Sequence, residues 1–371
     1  MRIVQLYTQA RGGPVDHAFD VATELARQGH ESHVVGPHTP RHAALAAAGV
    51  RTHLAQMPRK GDVLGAGRLG RTLRALRPDV VHCQDRRAGL VGRLWGQTTN
   101  LATVYTLHGV PDPLAHLVPG NAAVAALTRR DRVGNLTGER LLGGVRRSLT
   151  VTPCEALTTY ARTHIGLPTD RVHTVHNGVG RSWLAPATSS TSAGTDPNPT
   201  AVWVGVMQPV KRLPALVRAV AEVPDLQLVL IGDGPERARV EETVRAAGVT
   251  DRVRLVGFQP DPRPWLDAAD LIVLPSAAEA CPMALLQGMA RGLPVVASHA
   301  GGIPELVRDG REGLLVPTGA HAALRDALTR MAGDPALRTR MGARARTRVE
   351  ESFAVEHCVR RLVDVYAEVA S

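Results

Sequence analysis

A carboxylate, Glu279, and a primary amide, Gln287, stand eight positions apart in the stretch LIVLPSAAEACPMALLQGMARGLPVVAS, residues Leu271 to Ser298. The same half of the chain offers adjacent cations, Lys211 and Arg212, and a glycine pair, Gly301 and Gly302, directly before Ile303-Pro304. Each admits a plain structural role. A carboxylate ahead of a helix caps it by accepting from unpaired N–H groups, and an internal amide satisfies a neighbouring peptide group. A Lys-Arg pair in a loop is by default solvated. Glycines leading into a helix have a second use, because the free N–H groups at that end form an anion site without any charged side chain.

The elements that must hold these residues follow from the apolar pattern. Leu271 to Leu274 has the length of a buried strand, ended by Pro275-Ser276. A helix is expected from about Pro282, at its first position, to Arg291, closed by Gly292, with Pro294 to Ala297 opening the next strand. This is a βαβ unit whose loop lies at a strand's carboxyl end, where ligands bind in such sheets. Ala284 and Gly288 form a small-residue row suited to close approach. Strands Ala201 to Gly205, Leu228 to Ile231 and Val253 to Val256 precede it, followed in turn by the Lys211 loop, Gly232-Asp233-Gly234-Pro235 and Gly257-Phe258-Gln259. The first half repeats the scheme. Strand Arg2 to Leu6 leads through Gly12-Gly13 into a helix carrying Val15, Ala18, Phe19, Ala22 and Leu25 at helical spacing. His33 to Val35, Pro78 to His82 and Thr103 to Leu107 read as later strands, the last followed by His108-Gly109.

The pattern Ser276, Glu279, Pro282, Gln287, Met289-Ala290, Gly292, Pro294 to Ala297 resembles the signature of the retaining glycosyltransferases of family 4. That resemblance implies an α/β chain of the GT-B class: two Rossmann-like parallel-sheet domains facing an interdomain cleft. It covers nearly the whole chain, most strongly Val202 to Val316. It implies a nucleoside diphosphate sugar as co-substrate, with Lys211 on the diphosphate, Arg212 beside it, the backbone at Gly257 and Phe258 receiving the base, and Glu279 holding sugar hydroxyls. Gln287 would meet the ribose. Gly301 and Gly302 would meet the leaving charge, Gly12 and Gly13 would lie near the donor phosphates, and His108 would contact the donor sugar. Two positions depart from the family pattern: Gln287 replaces a second glutamate, and Val206 replaces an arginine five residues before Lys211. An amide can still accept from one ribose hydroxyl and donate to another. Retention of anomeric configuration is likewise an implication of the resemblance, as is transfer of a hexose or N-acetylhexosamine from a UDP-type donor.

Length and composition bound the rest. The 371 residues suit two domains, and the divisions expected are 1–184 for an acceptor domain, 185–200 for a linker, 201–350 for a nucleotide-sugar domain and 351–371 for a helix returning to the first domain. APATSSTSAGTDPNPT, from Ala185 to Thr200, cannot bury apolar surface and reads as flexible. Met1 runs directly into a strand and no apolar run approaches a membrane span, so a cytoplasmic location is expected. Four scattered cysteines, Cys83, Cys154, Cys281 and Cys358, indicate free thiols. The formal charge of +10 is spread over both halves without aromatic-flanked basic motifs. Nucleic acid is therefore not expected as a partner, and the charge suits an enzyme with a diphosphate donor. Arg68, Arg71, Arg74 and Arg77 make a basic stripe beside Leu69, Leu73 and Leu76, which reads as a solvated face before it reads as a lipid-binding one. With so many cations no DxD-type metal motif or cofactor is expected. The acceptor expected is a small soluble molecule, such as a cyclitol or saccharide of an antibiotic-type metabolite; the alternatives are a cell-envelope lipid or polysaccharide acceptor, or a GT-B binding protein without catalysis.

Overall fold

The structure, a computed structural model, describes residues 1–57, 62–126, 128–186 and 198–371. Of the expected linker, residues 187–197 lie outside the described residues.

Strand-length apolar runs alternating with helices produce two sheets in which every pairing is parallel. The first contains β1 (Arg2–Leu6), β2 (Glu31–Gly36), β3 (Arg51–Leu54), β4 (Val80–Cys83), β5 (Ala102–Thr106), β6 (Ser148–Thr152) and β7 (Val172–Thr174). Their order is β3-β2-β1-β4-β5-β6-β7. The second contains β8 (Thr200–Val204), β9 (Gln227–Ile231), β10 (Val253–Gly257), β11 (Leu271–Leu274), β12 (Val295–Ser298) and β13 (Gly313–Val316), in the order β10-β9-β8-β11-β12-β13. The strand order reverses between β1 and β4 in one sheet and between β8 and β11 in the other, and the loops at the carboxyl ends there are the ones a doubly wound sheet offers to ligands.

The described chain divides into two compact units. One gathers 1–117, 127–180 and 354–371, the other 118–126 and 181–353. The short segment 118–126 thus belongs with the second unit although the chain returns to the first after it. In the first unit the amphipathic helix Val355–Ala370 sets Val359, Leu362 and Tyr366 into one core with Ile3, Val80, Val104 and Val151. Each such aliphatic side chain contributes roughly 1.5–3 kcal/mol by leaving water. Ala354, just ahead of this helix, bridges Val179, so the returning chain is also tied by backbone pairing.

The helix after β11 runs Met283–Ala290, shorter than the sequence suggests. Pro282 is its N-cap, with φ −67° and ψ 116°, and not its first helical residue. A ψ of that size carries the chain out of the loop in extended form. Gly288 gives this helix its close approach, because a Cβ there would come 2.7 Å from Ile272 of β11. The arginine-bearing helix Val63–Leu76 buries Leu69 and Leu73. Trp95 fills the space left by the missing side chain of Gly70, and Arg74 lies over its ring at 5.6 Å. Among the described residues no helix is long and apolar enough to cross a membrane. All four cysteines are buried free thiols.

Candidate active site

In the second unit the loops beyond β8, β9 and β10 are stitched to one another by their own backbones. Met207 N–H donates to Asp233 O at 2.9 Å and Gly232 N–H to Gly257 O at 2.8 Å. Gly232 has φ +132°, and a Cβ on it would stand 1.8 Å from Gly205 O, so only glycine permits this crossing. Behind the β8 loop the turn Pro209–Lys211 presents Lys211, whose Nζ donates to Glu279 Oε1 at 2.5 Å. The pair is largely sheltered, Glu279 being 8% and Lys211 20% exposed at the side chain.

Glu279 does not cap the following helix, which has no side-chain cap bond at all. Its position is set through the backbone instead. Glu279 N–H donates to Asn121 Oδ1 at 3.0 Å, and Ala277 is bonded on both sides, its N–H to Val210 O and its carbonyl from Ala122 N–H, each at 2.8 Å. The segment 118–126 therefore acts as a splint under the Glu279 loop. Gly301 closes the same cluster. With φ +47°, it would place a Cβ 1.9 Å from Glu279 O and 2.7 Å from Asn121 Oδ1.

Beyond β12 the expected helix amounts to one turn, Ile303–Leu306, with Pro304 at its second position. Ile303 N–H folds back onto Ala300 O at 3.0 Å. The N–H groups of Gly301 and Gly302 have no acceptor among the described residues, so two amides, not a long helix end, are what this loop offers an anion. Gln287 lies in the second turn of the helix after β11, 6% exposed, and its amide has no partner among the described residues. Arg212 adopts a left-handed backbone at φ 54° and lays its guanidinium against Gly319, lining a hollow with Pro275, Ser298 and Pro317. Phe258 is half exposed beyond Gly257, whose φ is +73°. Lys211, Glu279 and Gly301 are thus brought into one contact cluster, while Arg212 turns to the β12 and β13 side.

In the first unit Gly12, at φ +111°, precedes the helix Gly13–Arg27, and His17 in its second turn meets His108 edge-on, ring centroids 5.1 Å apart. His108 Nε2 bonds Gln84 Oε1 at 2.8 Å. Burial holds His17 down to about 4, and burial together with the neighbouring His17 and His82 holds His108 well below the usual histidine range, so both rings are neutral at pH 7. Sequence reasoning passed over Asn121, His17 and Gln84. None belongs to a local motif, since each gains its place through a partner far along the chain. One signal did exist for Lys211: lysine occurs only there and at Lys60 in a chain otherwise committed to arginine.

Two family models match the chain: "Glycosyltransferase Family 4" over residues 11–182 and "Glycosyl transferases group 1" over 198–334. A lipopolysaccharide core biosynthesis glycosyltransferase, LpsE, of Rhizobium meliloti is 34% identical over 154 residues, 42% of this chain and 44% of that relative. The alpha-maltose-1-phosphate synthase of Mycolicibacterium smegmatis is 30% identical over 328 residues, 79% of each chain. The chain spans about half the length of the first curated relatives it matches. Among solved structures, HepE of Anabaena in complex with UDP-glucose superposes with a TM-score of 0.81 at 20% identity, over 99% of this chain and 100% of that one, which shows a common fold. With two parallel α/β units, matching models over both halves and a relative aligned along most of its length, the chain belongs to the family 4 glycosyltransferases and has their GT-B fold.

Proposed function

We propose that the protein transfers a hexose or N-acetylhexosamine, with retention, from a UDP-type nucleoside diphosphate sugar to a hydroxyl of a small soluble acceptor. The Lys211–Glu279 contact carries this reading. Glu279 takes one of the three ammonium donors, leaving two for phosphate oxygens, and keeps Oε2 to accept from sugar hydroxyls. Departure of the nucleoside diphosphate breaks the anomeric C–O bond and moves the electron pair onto phosphate oxygen, while the acceptor oxygen forms the new bond to the anomeric carbon and its proton passes to the departing phosphate. Lys211 and the amides of Gly301 and Gly302 would meet that charge in fixed positions, which is how a preorganised site lowers a barrier. Arg212, turned to the β12 and β13 side, adds a more distant cation, and the Lys211 charge with the two amides makes a metal ion unnecessary to the scheme. Gln287 would bind the ribose, Gly257 and Phe258 the base, Gly12 and Gly13 the phosphates from the first unit, and His108 the sugar, with the acceptor assigned to the first unit. A cytoplasmic setting fits a nucleotide-sugar donor.

The test is calorimetric. Lys211→Ala should weaken binding of the nucleoside diphosphate product as well as transfer, because donor and product share the phosphates; an unchanged product affinity removes Lys211 from the site. A lipid acceptor is the second reading, favoured by the similarity to LpsE and by exposed Leu64, Leu90 and Leu94. The buried Leu69 and Leu73 and the occupied Trp95 weigh against it, since they leave the arginine stripe without a wedge. Vesicle flotation separates the two: salt-resistant binding to anionic vesicles overturns the soluble acceptor, and absent or salt-labile binding retains it.

A further inference from the structure

A row of polar side chains runs through the core of the first unit, where aliphatic residues would be expected. Gln5 and His82 are register partners on β1 and β4, and His82 pairs in turn with Val104 of β5. Parallel partners point to the same face, and here that is the face covered by the helix Val355–Ala370, since Val104 and Tyr366 share one core. Two polar groups in such a row would each cost free energy if left unpaired. They are not.

Tyr366 OH bonds Gln5 Nε2 at 3.3 Å and His82 Nδ1 at 2.6 Å. His82 Nε2 continues to Thr106 Oγ1 at 2.6 Å. On the other side Gln5 Oε1 accepts from Gln84 Nε2 at 2.7 Å, and Gln84 Oε1 meets His108 Nε2 at 2.8 Å. Gln5, His82, Gln84 and Tyr366 are wholly buried and Thr106 nearly so. The result is one unbranched chain of five hydrogen bonds from Thr106 to His108.

A chain of this kind restricts protons. Each glutamine has one donating and one accepting end, and each neutral histidine has one of each. In the arrangement found, His108 Nε2–H donates to Gln84, Gln84 to Gln5, Gln5 to the Tyr366 oxygen, Tyr366 to His82 Nδ1, and His82 Nε2–H to Thr106. The buried Tyr366 proton must also find an acceptor, and the one other order that gives it one reverses every bond together, flipping both amides and moving the proton to Nδ1 on both rings.

We propose that Tyr366 is a positioning residue: through Gln5 and Gln84 it fixes the proton of His108 on Nε2, which leaves Nδ1 as a hydrogen-bond acceptor for a substrate hydroxyl. The role of that acceptor rests on the assignment of His108 to the sugar made above; the coupling of the tautomers does not. A histidine's free nitrogen is defined by the bond its other nitrogen makes. Here the bond is secured by a helix that lies at the opposite end of the sequence.

The experiment uses the full chain with ¹⁵N-labelled histidine and long-range ¹H–¹⁵N correlation spectra, the signals assigned with His108→Ala and His82→Ala. Wild type should show His108 and His82 each as a single Nε2–H tautomer. Tyr366→Phe, which keeps the ring and removes the hydroxyl, should give both rings a mixture. Gln5→Met cuts the chain elsewhere and should give a mixture at His108 while His82, still bonded to Tyr366, keeps Nε2–H. Amide spectra and melting curves establish that each variant is folded; because the two variants differ at His82, loss of stability by itself cannot mimic the pattern. A mixed His108 in wild type, or a His108 unchanged in both folded variants, overturns the proposal. Outer partners that orient functional histidines are worth about ten- to a hundredfold at metal sites, so kcat for transfer should fall about tenfold in both variants with nucleoside diphosphate affinity unchanged. Tautomers that respond as stated with unaltered kcat would uphold the coupling and sink the assignment of His108 to the sugar.

Discussion

Beyond β8 and β11 the second unit sets full charges, Lys211 and Glu279, 2.5 Å apart on loops, and fixes them by backbone: Asn121 on the Glu279 amide, Gly301 in the space no side chain could enter. Beyond β1, β4 and β5 the first unit surrounds His108 with uncharged groups: His17 by ring contact, Gln84 by a hydrogen bond and, through Gln84, Gln5, Tyr366 and His82, joined by side-chain bonds inside the core. The difference is one of failure. A charged pair on a rigid loop is lost one residue at a time, each loss large and local. A neutral network is lost as a whole when any member gains a charge.

The sharpest way to break the comparison is Glu279→Ala. Since the carboxylate caps no helix, folding stability should be preserved while transfer falls roughly 100- to 1000-fold, about 2.7–4 kcal/mol in the transition state; an active but destabilised variant, in kinetics and thermal melts, would assign Glu279 to structure. The next contrast is acid sensitivity. Burial holds His17 at about 4 in the folded chain, and His82 well below its ordinary value, against about 6.5 when unfolded. Between those values the unfolded chain binds more protons, so this contribution to stability is complete above about pH 6.5 and is lost as pH falls toward 4. Asp16, raised to about 6 by burial, acts with the opposite sign, so the comparison must be between variants. His17→Leu should flatten the decline of the denaturant midpoint over that window, by at most about 3 kcal/mol, and an unchanged slope would remove His17 from the acid response. The smallest effect is expected at Gln287→Glu, where donor affinity should stay within about tenfold, roughly 1.4 kcal/mol; complete loss of binding would mean that the amide's donor is required.

The same contrast decides what could be read from the residues alone. The βαβ unit around Glu279 was legible because its strand, its helix and the breaks at Pro275, Pro282 and Gly292 are local, and Lys211 because it follows a strand at a fixed distance. The alternation of strands and helices marked both sheets for the same reason. Asn121 was invisible, lying in a stretch without periodicity whose value comes from a contact 158 residues away with Glu279. Gln5, His82 and Tyr366 were read as strand and helix positions, and nothing local says that their polar atoms find each other. The placement of Pro282 and the single turn at Ile303–Leu306 show the limit of terminus signals: proline marks a helix start to within a residue or two, and tertiary contacts choose the residue.

The bond between Gln5 and Tyr366 joins residues 361 positions apart. During synthesis β1 to β7 leave the ribosome before residues 181–353 of the second unit, yet the helix that covers their core, Val355–Ala370, is made only after them. Domains ordinarily fold in the order of their emergence. Here the earlier unit must wait with Ile3, Val80 and Val104 uncovered and Gln5 and His82 lacking a hydroxyl, while the later unit has everything it needs but the segment 118–126, already made. The part that emerges first is therefore the part that finishes last, and for that interval the apolar face of its sheet stays open to water.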